Sequence, residues 1–79
     1  MAYVYVLKSL SKDWKYIGCT ENKEQRLEYH NWGKVKSTRP YKPFKMVYTE
    51  EYATLAEARK REYFLKHTYK AREEIFKNL

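Results

Sequence analysis

Only one cysteine, Cys19, stands in the 79 residues, so no internal disulfide can brace the chain. No grouping of cysteine and histidine has the spacing of a zinc site. Apolar runs are short: none approaches the length of a membrane span. Lys8 breaks the one apolar run near the start, so no signal peptide is expected. The expected setting is therefore the cytosol, with no membrane. Glycine and proline are scarce as well, two of each: Gly18, Gly33, Pro40 and Pro43. Internal repeats, low-complexity tracts and linkers are lacking, and the length predicts one domain over residues 1–79. A domain of this size buries only about 60% of the surface its unfolded chain exposes, so its core is thin. Aromatic residues make up 18% of the chain, with nine tyrosines, and help such a core because each ring removes a large apolar area from water.

Acidic residues are missing where basic ones are densest. Residues 34–45 carry Lys34, Lys36, Arg39, Lys42 and Lys45 and no carboxylate, within a chain of net charge +7. Tyr41, Phe44 and the two prolines are interleaved with these cations. Such a segment suits contact with a phosphate backbone. Charge alone leaves a second reading open, a solvated loop on a generally basic protein. An anionic membrane surface fits less well, because the run lies on no amphipathic helix.

Residues 3–8 alternate in a way that puts Val4 and Val6 on one face and Tyr3, Tyr5 and Leu7 on the other, a strand covered on both sides. A polar turn over 9–14 and a second strand over 15–19 predict a hairpin. Asn22 with Gln25 forms a capping box that opens a helix, and Gly33 ends it. The prolines make 34–43 a loop. Residues 44–52 form a third strand, with Phe44, Met46 and Tyr48 expected on one side. Thr54 and Glu57 form a second capping box, for a helix reaching about His67. A final helix over about 71–78 would pack Ile75, Phe76 and Leu79 against the rest. The fold class expected is α+β: a three-stranded antiparallel sheet flanked by about three helices.

Projected at 100° per residue, the second helix gathers Leu55, Ala58, Leu65 and Tyr69 on one side, and Glu62 falls among them. A carboxylate on an inward stripe is costly unless paired, hydrogen-bonded or bound to a cation. Pairing with Arg26 or an exit at the rim of the core is one explanation; a metal ion is the other. Arg26 and His30 share a face of the first helix at i and i+4. Tyr3 and Tyr5 project from one strand face, with Tyr16 expected beside them across the hairpin.

Tyr3-Val4-Tyr5, then Tyr16-Ile17-Gly18 with ten residues between Tyr5 and Tyr16, then Arg26, His30 and Glu62 in order, make the chain resemble a GIY-YIG nuclease domain from about Tyr3 to beyond Leu65. The resemblance implies a divalent-metal-dependent endonuclease acting on DNA, in a setting such as repair or recombination. Its implied catalytic residues are Tyr5, Tyr16, Arg26, His30 and Glu62. Glu62 would be the metal ligand, for magnesium or manganese bound weakly without substrate. One acid suffices for such an ion, which keeps several waters and takes phosphate oxygens. Tyr5 and Tyr16 jointly would orient or deprotonate water, although a free phenol near pKa ~10 is a poor base at neutral pH. Arg26 would grip the scissile phosphate. For His30, accepting a proton, bonding phosphate and stabilising the helix end remain open. Gly18 would let substrate approach the strand end, and Lys34, Lys36, Arg39, Lys42 and Lys45 would track the nucleic-acid backbone.

Some positions depart from the family pattern. Tyr3 stands where the first motif opens on glycine, and Cys19 where the bacterial excision-repair nuclease subunit has lysine. Larger relatives support the metal site with a polar residue near the domain end, for which Asn78 is a candidate. No targeting domain accompanies the motifs, which makes the chain similar to small standalone members of the family. Two other readings follow: a non-catalytic nucleic-acid-binding module that keeps the scaffold, or a partner subunit using Trp14 and Trp32 as contact residues.

Overall fold

The structure, a computed structural model, describes residues 1–79. Strand β1 (Ala2–Ser9) carries apolar side chains on both faces and lies in the middle of the sheet, between β2 (Lys15–Thr20) and β3 (Phe44–Tyr52). Both neighbours pair with it antiparallel. Helix α1 (Lys23–Asn31) covers one face; α2 (Leu55–His67) and α3 (Tyr69–Phe76) cover the other. The expected α+β architecture is the one observed.

The two faces hold separate cores. Beneath α2 and α3, Val4, Val6 and Ile17 pack with Ala58 and Leu65, joined at the rim by Ile75 and Phe76. On the α1 side, Tyr5, Leu7 and Phe44 pack with Trp14, Tyr16, Leu27, Tyr41 and Met46. Tyr41 belongs to a short 3-10 turn, Arg39–Tyr41, inside the segment expected as loop. Its ring stacks on Trp14 with centroids 3.9 Å apart, so Trp14 is a packing residue.

The helix caps form where the sequence places them. The Asn22 side chain accepts from the Gln25 amide at 3.1 Å, and Thr54 Oγ1 accepts from the Glu57 amide at 3.2 Å. The Asn22 amide itself donates to Thr20 Oγ1, so Gln25 has no need to reach back. At the other end of α1, Gly33 adopts φ 77°. Its amide donates to the His30 carbonyl and that of Lys34 to the Tyr29 carbonyl, the paired closure that a left-handed residue permits.

Three expectations need correction. Tyr48 does not share a side with Phe44 and Met46: Leu7 pairs with Met46 but Val6 with Tyr48, so Val47 is an extra residue. This bulge sends Val47 and Tyr48 to the α2 face. Tyr69 is not on the α2 stripe. Thr68 is extended (φ −128°, ψ 94°), the helix ends before it, and Tyr69 opens α3 with 66% of its surface exposed. Leu79, lying beyond the end of α3, is exposed rather than packed. No helix is long and apolar enough to cross a membrane.

Candidate active site

Tyr5 lies directly across from Gly18 in the β1–β2 ladder. The tyrosine ring lies over that glycine: a Cβ at position 18 would stand 2.6 Å from Tyr5 Cζ and closer still to the hydroxyl. Gly18 is buried. The space expected to admit substrate is taken by the chain's own tyrosine, and the glycine serves to seat it.

Helix α1 then delivers two side chains to the Tyr5 hydroxyl. Arg26 Nε donates to it at 3.4 Å, and His30 Nε2 lies 2.9 Å from it. On its other side, His30 Nδ1 is 2.9 Å from Thr38 Oγ1. Thr38 Oγ1 also lies 3.3 Å from the Val35 carbonyl, and with its proton directed there its oxygen accepts, which assigns the His30 hydrogen to Nδ1. Nε2 is then the bare nitrogen and accepts from the Tyr5 hydroxyl. His30 and Thr38 are fully buried and Tyr5 nearly so. Burial, reinforced by the Arg26 charge, lowers the His30 pKa to about 4 and keeps the ring neutral. Burial also raises the Tyr5 hydroxyl to about 12, against the pull of Arg26. The resulting chain, Arg26 to Tyr5 to His30 to Thr38, has its protons arranged in one direction. None of the roles open to His30 is a direct one: both ring nitrogens are engaged inside the fold, so the ring meets water, phosphate and the helix end with neither, and its partner is the Tyr5 hydroxyl.

Tyr16, also on the α1 side of the sheet, places its ring centroid 6.4 Å from that of Tyr5 and 5.3 Å from that of His30. Lys66 of α2 reaches round the β2 edge to lie 5.0 Å from its centroid. The same lysine pairs with Glu62 at 3.0 Å. The other Glu62 oxygen accepts from the Cys19 thiol at 3.0 Å. Burial and then the neighbouring carboxylate push the Cys19 thiol up to about 11, so it remains a donor. The carboxylate is partly open to solvent, at 21% of its side-chain surface. Its partners are Lys66 and Cys19, not Arg26. The Lys66 spacing, i+4, is visible in the sequence; the Cys19 contact depends on β2 meeting α2.

Glu62 is the one carboxylate here, and no group of three histidine, cysteine or acidic side chains converges anywhere in the chain. A single hard carboxylate at a solvent-open edge fits a magnesium or manganese ion whose remaining ligands are water and phosphate, with Lys66 giving way. It does not fit zinc or a preformed cage. Asn78 does not serve Glu62: it is exposed and donates to the Glu74 carbonyl at 3.0 Å.

Lys34, Lys36, Arg39, Lys42 and Lys45 are all exposed. The segment that carries four of them is tied to the site through Thr38, a residue without any signal in the sequence, because its bond to His30 exists only once the loop folds back. Trp32 is exposed at the end of α1.

Known proteins resemble this chain over most of its length. Residues 1–75 match the model of the GIY-YIG catalytic domain. A UPF0213 protein of Clostridium perfringens is 43% identical over 67 residues, 84% of this chain and 71% of that one. The UPF0213 protein YazA of Bacillus subtilis is 31% identical over 94% of this chain and 75% of its own. The solution NMR structure of a UPF0213 protein from Bacillus halodurans superposes with a TM-score of 0.57 at 32% identity, over 98% of this chain and 84% of that one. A family-model match over residues 1–75, with relatives 31–43% identical along most of the chain, makes this chain a member of the GIY-YIG catalytic domain family, a family of nucleases.

Proposed function

We propose that the protein is a divalent-metal-dependent endonuclease that hydrolyses phosphodiester bonds in DNA. The observation that carries this reading is the Tyr5 hydroxyl, held between Arg26 and the bare nitrogen of a neutral His30. With its own proton held toward His30 Nε2, that hydroxyl has an oxygen lone pair left to accept a hydrogen bond from the attacking water and orient it. Burial disfavours both the tyrosinate and the His30 imidazolium, so the pair orients the water and does not store its proton. Arg26 stays charged and offers its fork to the phosphate beside the hydroxyl, stabilising the charge that develops there. Tyr16 closes the outer side of the pair and shares in orienting water. A magnesium or manganese ion at Glu62 would supply Lewis-acid stabilisation of the phosphate and of the leaving oxygen. The exposed cations of residues 34–45 hold the backbone beyond the cut.

Supercoiled plasmid incubated with magnesium or manganese tests this. Nicking is expected from the native protein, and its loss with Glu62→Ala and with EDTA. Cutting that survives Glu62→Ala would assign the activity elsewhere.

One observation favours a second reading. Both Glu62 oxygens are already partnered within the chain, by Cys19 and Lys66. A scaffold that binds nucleic acid without cutting it would look the same. That protein would bind DNA with steep salt dependence, equally with and without Glu62 and without metal.

A further inference from the structure

The last turn of α1 exposes two aromatic rings that neither core uses. Trp32 is 60% exposed and Tyr29 41%, with ring centroids 6.3 Å apart. Neither belongs to the cluster under α1, which Leu27 completes from the opposite flank. On a 100° projection Arg26 falls between Leu27 and Tyr29, so Tyr29 stands next to the arginine of the Tyr5 site and Trp32 lies a further step round the helix, on the side where the chain turns at Gly33.

Cations are gathered beside these rings. After Trp32 the chain turns sharply at Gly33, and Arg39 Nε donates back to the Gly33 carbonyl at 2.7 Å. A Cβ on Gly33 would stand 3.3 Å from Arg39 Cγ and 3.4 Å from Lys42 Nζ. Both basic side chains therefore lie across the residue next to the indole, and exposed Lys34 follows at once. Glu28, one turn before Trp32, is the one carboxylate on this flank.

We propose that Trp32 and Tyr29 are a base-stacking platform for an unpaired strand of DNA, whose phosphates lie along Arg39, Lys42 and Lys34. The proposal rests on the nuclease reading for its choice of DNA and deepens it by naming the substrate class: single-stranded DNA, including the open arm of a branched or flapped duplex. Exposed π-faces next to cations are what such a strand offers partners for, since its bases are open. A closed duplex presents the phosphates but hides the base faces, so it could use only the cations. A second copy of the chain is a poor occupant, because docking this face on itself would set one acid-free basic segment against another.

Fluorescence anisotropy in EDTA, with a dye-labelled thymidine oligonucleotide and with a duplex of equal length, separates these cases without any cutting. Trp32→Ala should weaken single-strand binding by about ten-fold, the loss of one stacked base, and leave duplex binding within about two-fold. Trp32→Phe should restore most of the affinity, and Tyr29→Ala should act in the same direction as Trp32→Ala. Equal losses for strand and duplex, or no loss for either, would overturn the platform, as would a native protein that ignores single strands. So would a Trp32→Ala protein whose only change is loss of self-association in sedimentation. Because nothing is cleaved, failure of the Glu62→Ala nicking test would leave this result standing, and the reverse also holds.

Discussion

A histidine that keeps one proton fixed can serve a neighbour as acceptor, and Thr38 is what fixes it in His30. Remove the Thr38 hydroxyl and the Nδ1 hydrogen has no acceptor. The ring can then turn its N–H toward Tyr5, whose hydroxyl no longer finds a bare nitrogen. Thr38→Val should therefore lower the nicking rate on the order of ten- to a hundred-fold, as loss of an orienting partner commonly does. Thr38→Ser should restore it. The decisive readout is the nitrogen NMR spectrum of His30: a native Nδ1–H tautomer in Thr38→Val, with an unchanged rate, would remove the relay. The sequence reading proposed Tyr5, Tyr16, Arg26, His30 and Glu62 through the family motifs, whose residue types and order are local facts. It missed Thr38, and gave Gly18 the wrong neighbour, because both depend on which side chain arrives from elsewhere in the chain. A glycine opposite a buried tyrosine is obvious only when the ladder register is known.

Helices and strands are joined here by a few polar clamps, and these decide how firmly α1 presents its residues. Asn31, the last residue of α1, makes a two-way bond with the start of β3. Its Oδ1 accepts from the Phe44 amide at 2.6 Å and its Nδ2 donates to the Phe44 carbonyl at 3.3 Å. Asn31→Ala leaves both backbone groups without that partner in a part-buried place. The expected loss is about 1–2 kcal/mol, or a fall in Tm of roughly 5–15 °C for a chain of this size, measured by thermal unfolding. An unchanged Tm would mean that water replaces the clamp. The opposite face has its own clamp: Glu50 on β3 accepts from Arg61 of α2, at 2.9 Å, and from the Tyr48 and Tyr52 hydroxyls. That clamp relies on the bulge at Val47, since without the extra residue Tyr48 would point to the α1 side. The strand itself was legible from its composition and the capping residues from their spacing. The bulge was not, because strict alternation is the only pattern that a strand reading assumes. The end of the second helix at His67 was legible as well, but the 100° projection carried Tyr69 onto its stripe past that end, and the extended Thr68 breaks the periodicity on which such a projection relies.

At the scale of the whole molecule the basic excess and the buried site pull stability in one direction as pH falls. The chain already carries +7 near neutrality, and protonation adds to that repulsion. His30 adds a specific contribution. Its pKa is about 4 in the fold, against an ordinary value of 6.5 in the unfolded chain. Between those values the unfolded state binds more protons, so stability rises with pH across the window and is lost as pH falls through it. Above pH 7 the ring is neutral in both states and contributes no slope. By pH 5 the loss should reach about 2 kcal/mol, a large share of what a small domain has. Glu50 enters later. Burial would raise its carboxyl, but the bonds from Arg61, Tyr48 and Tyr52 outweigh that and hold it below the usual carboxylate range. Its contribution is present above the unfolded carboxyl pKa and disappears as pH drops through the lowered folded value. Urea unfolding at a series of pH values distinguishes the two. The native protein should weaken from about pH 6.5 downward, and His30→Gln should flatten the curve in that range while keeping the steeper acid limb. If His30→Gln retains the full slope between pH 7 and 5, the ring is charged in the fold and cannot be the neutral acceptor that the relay from Tyr5 requires.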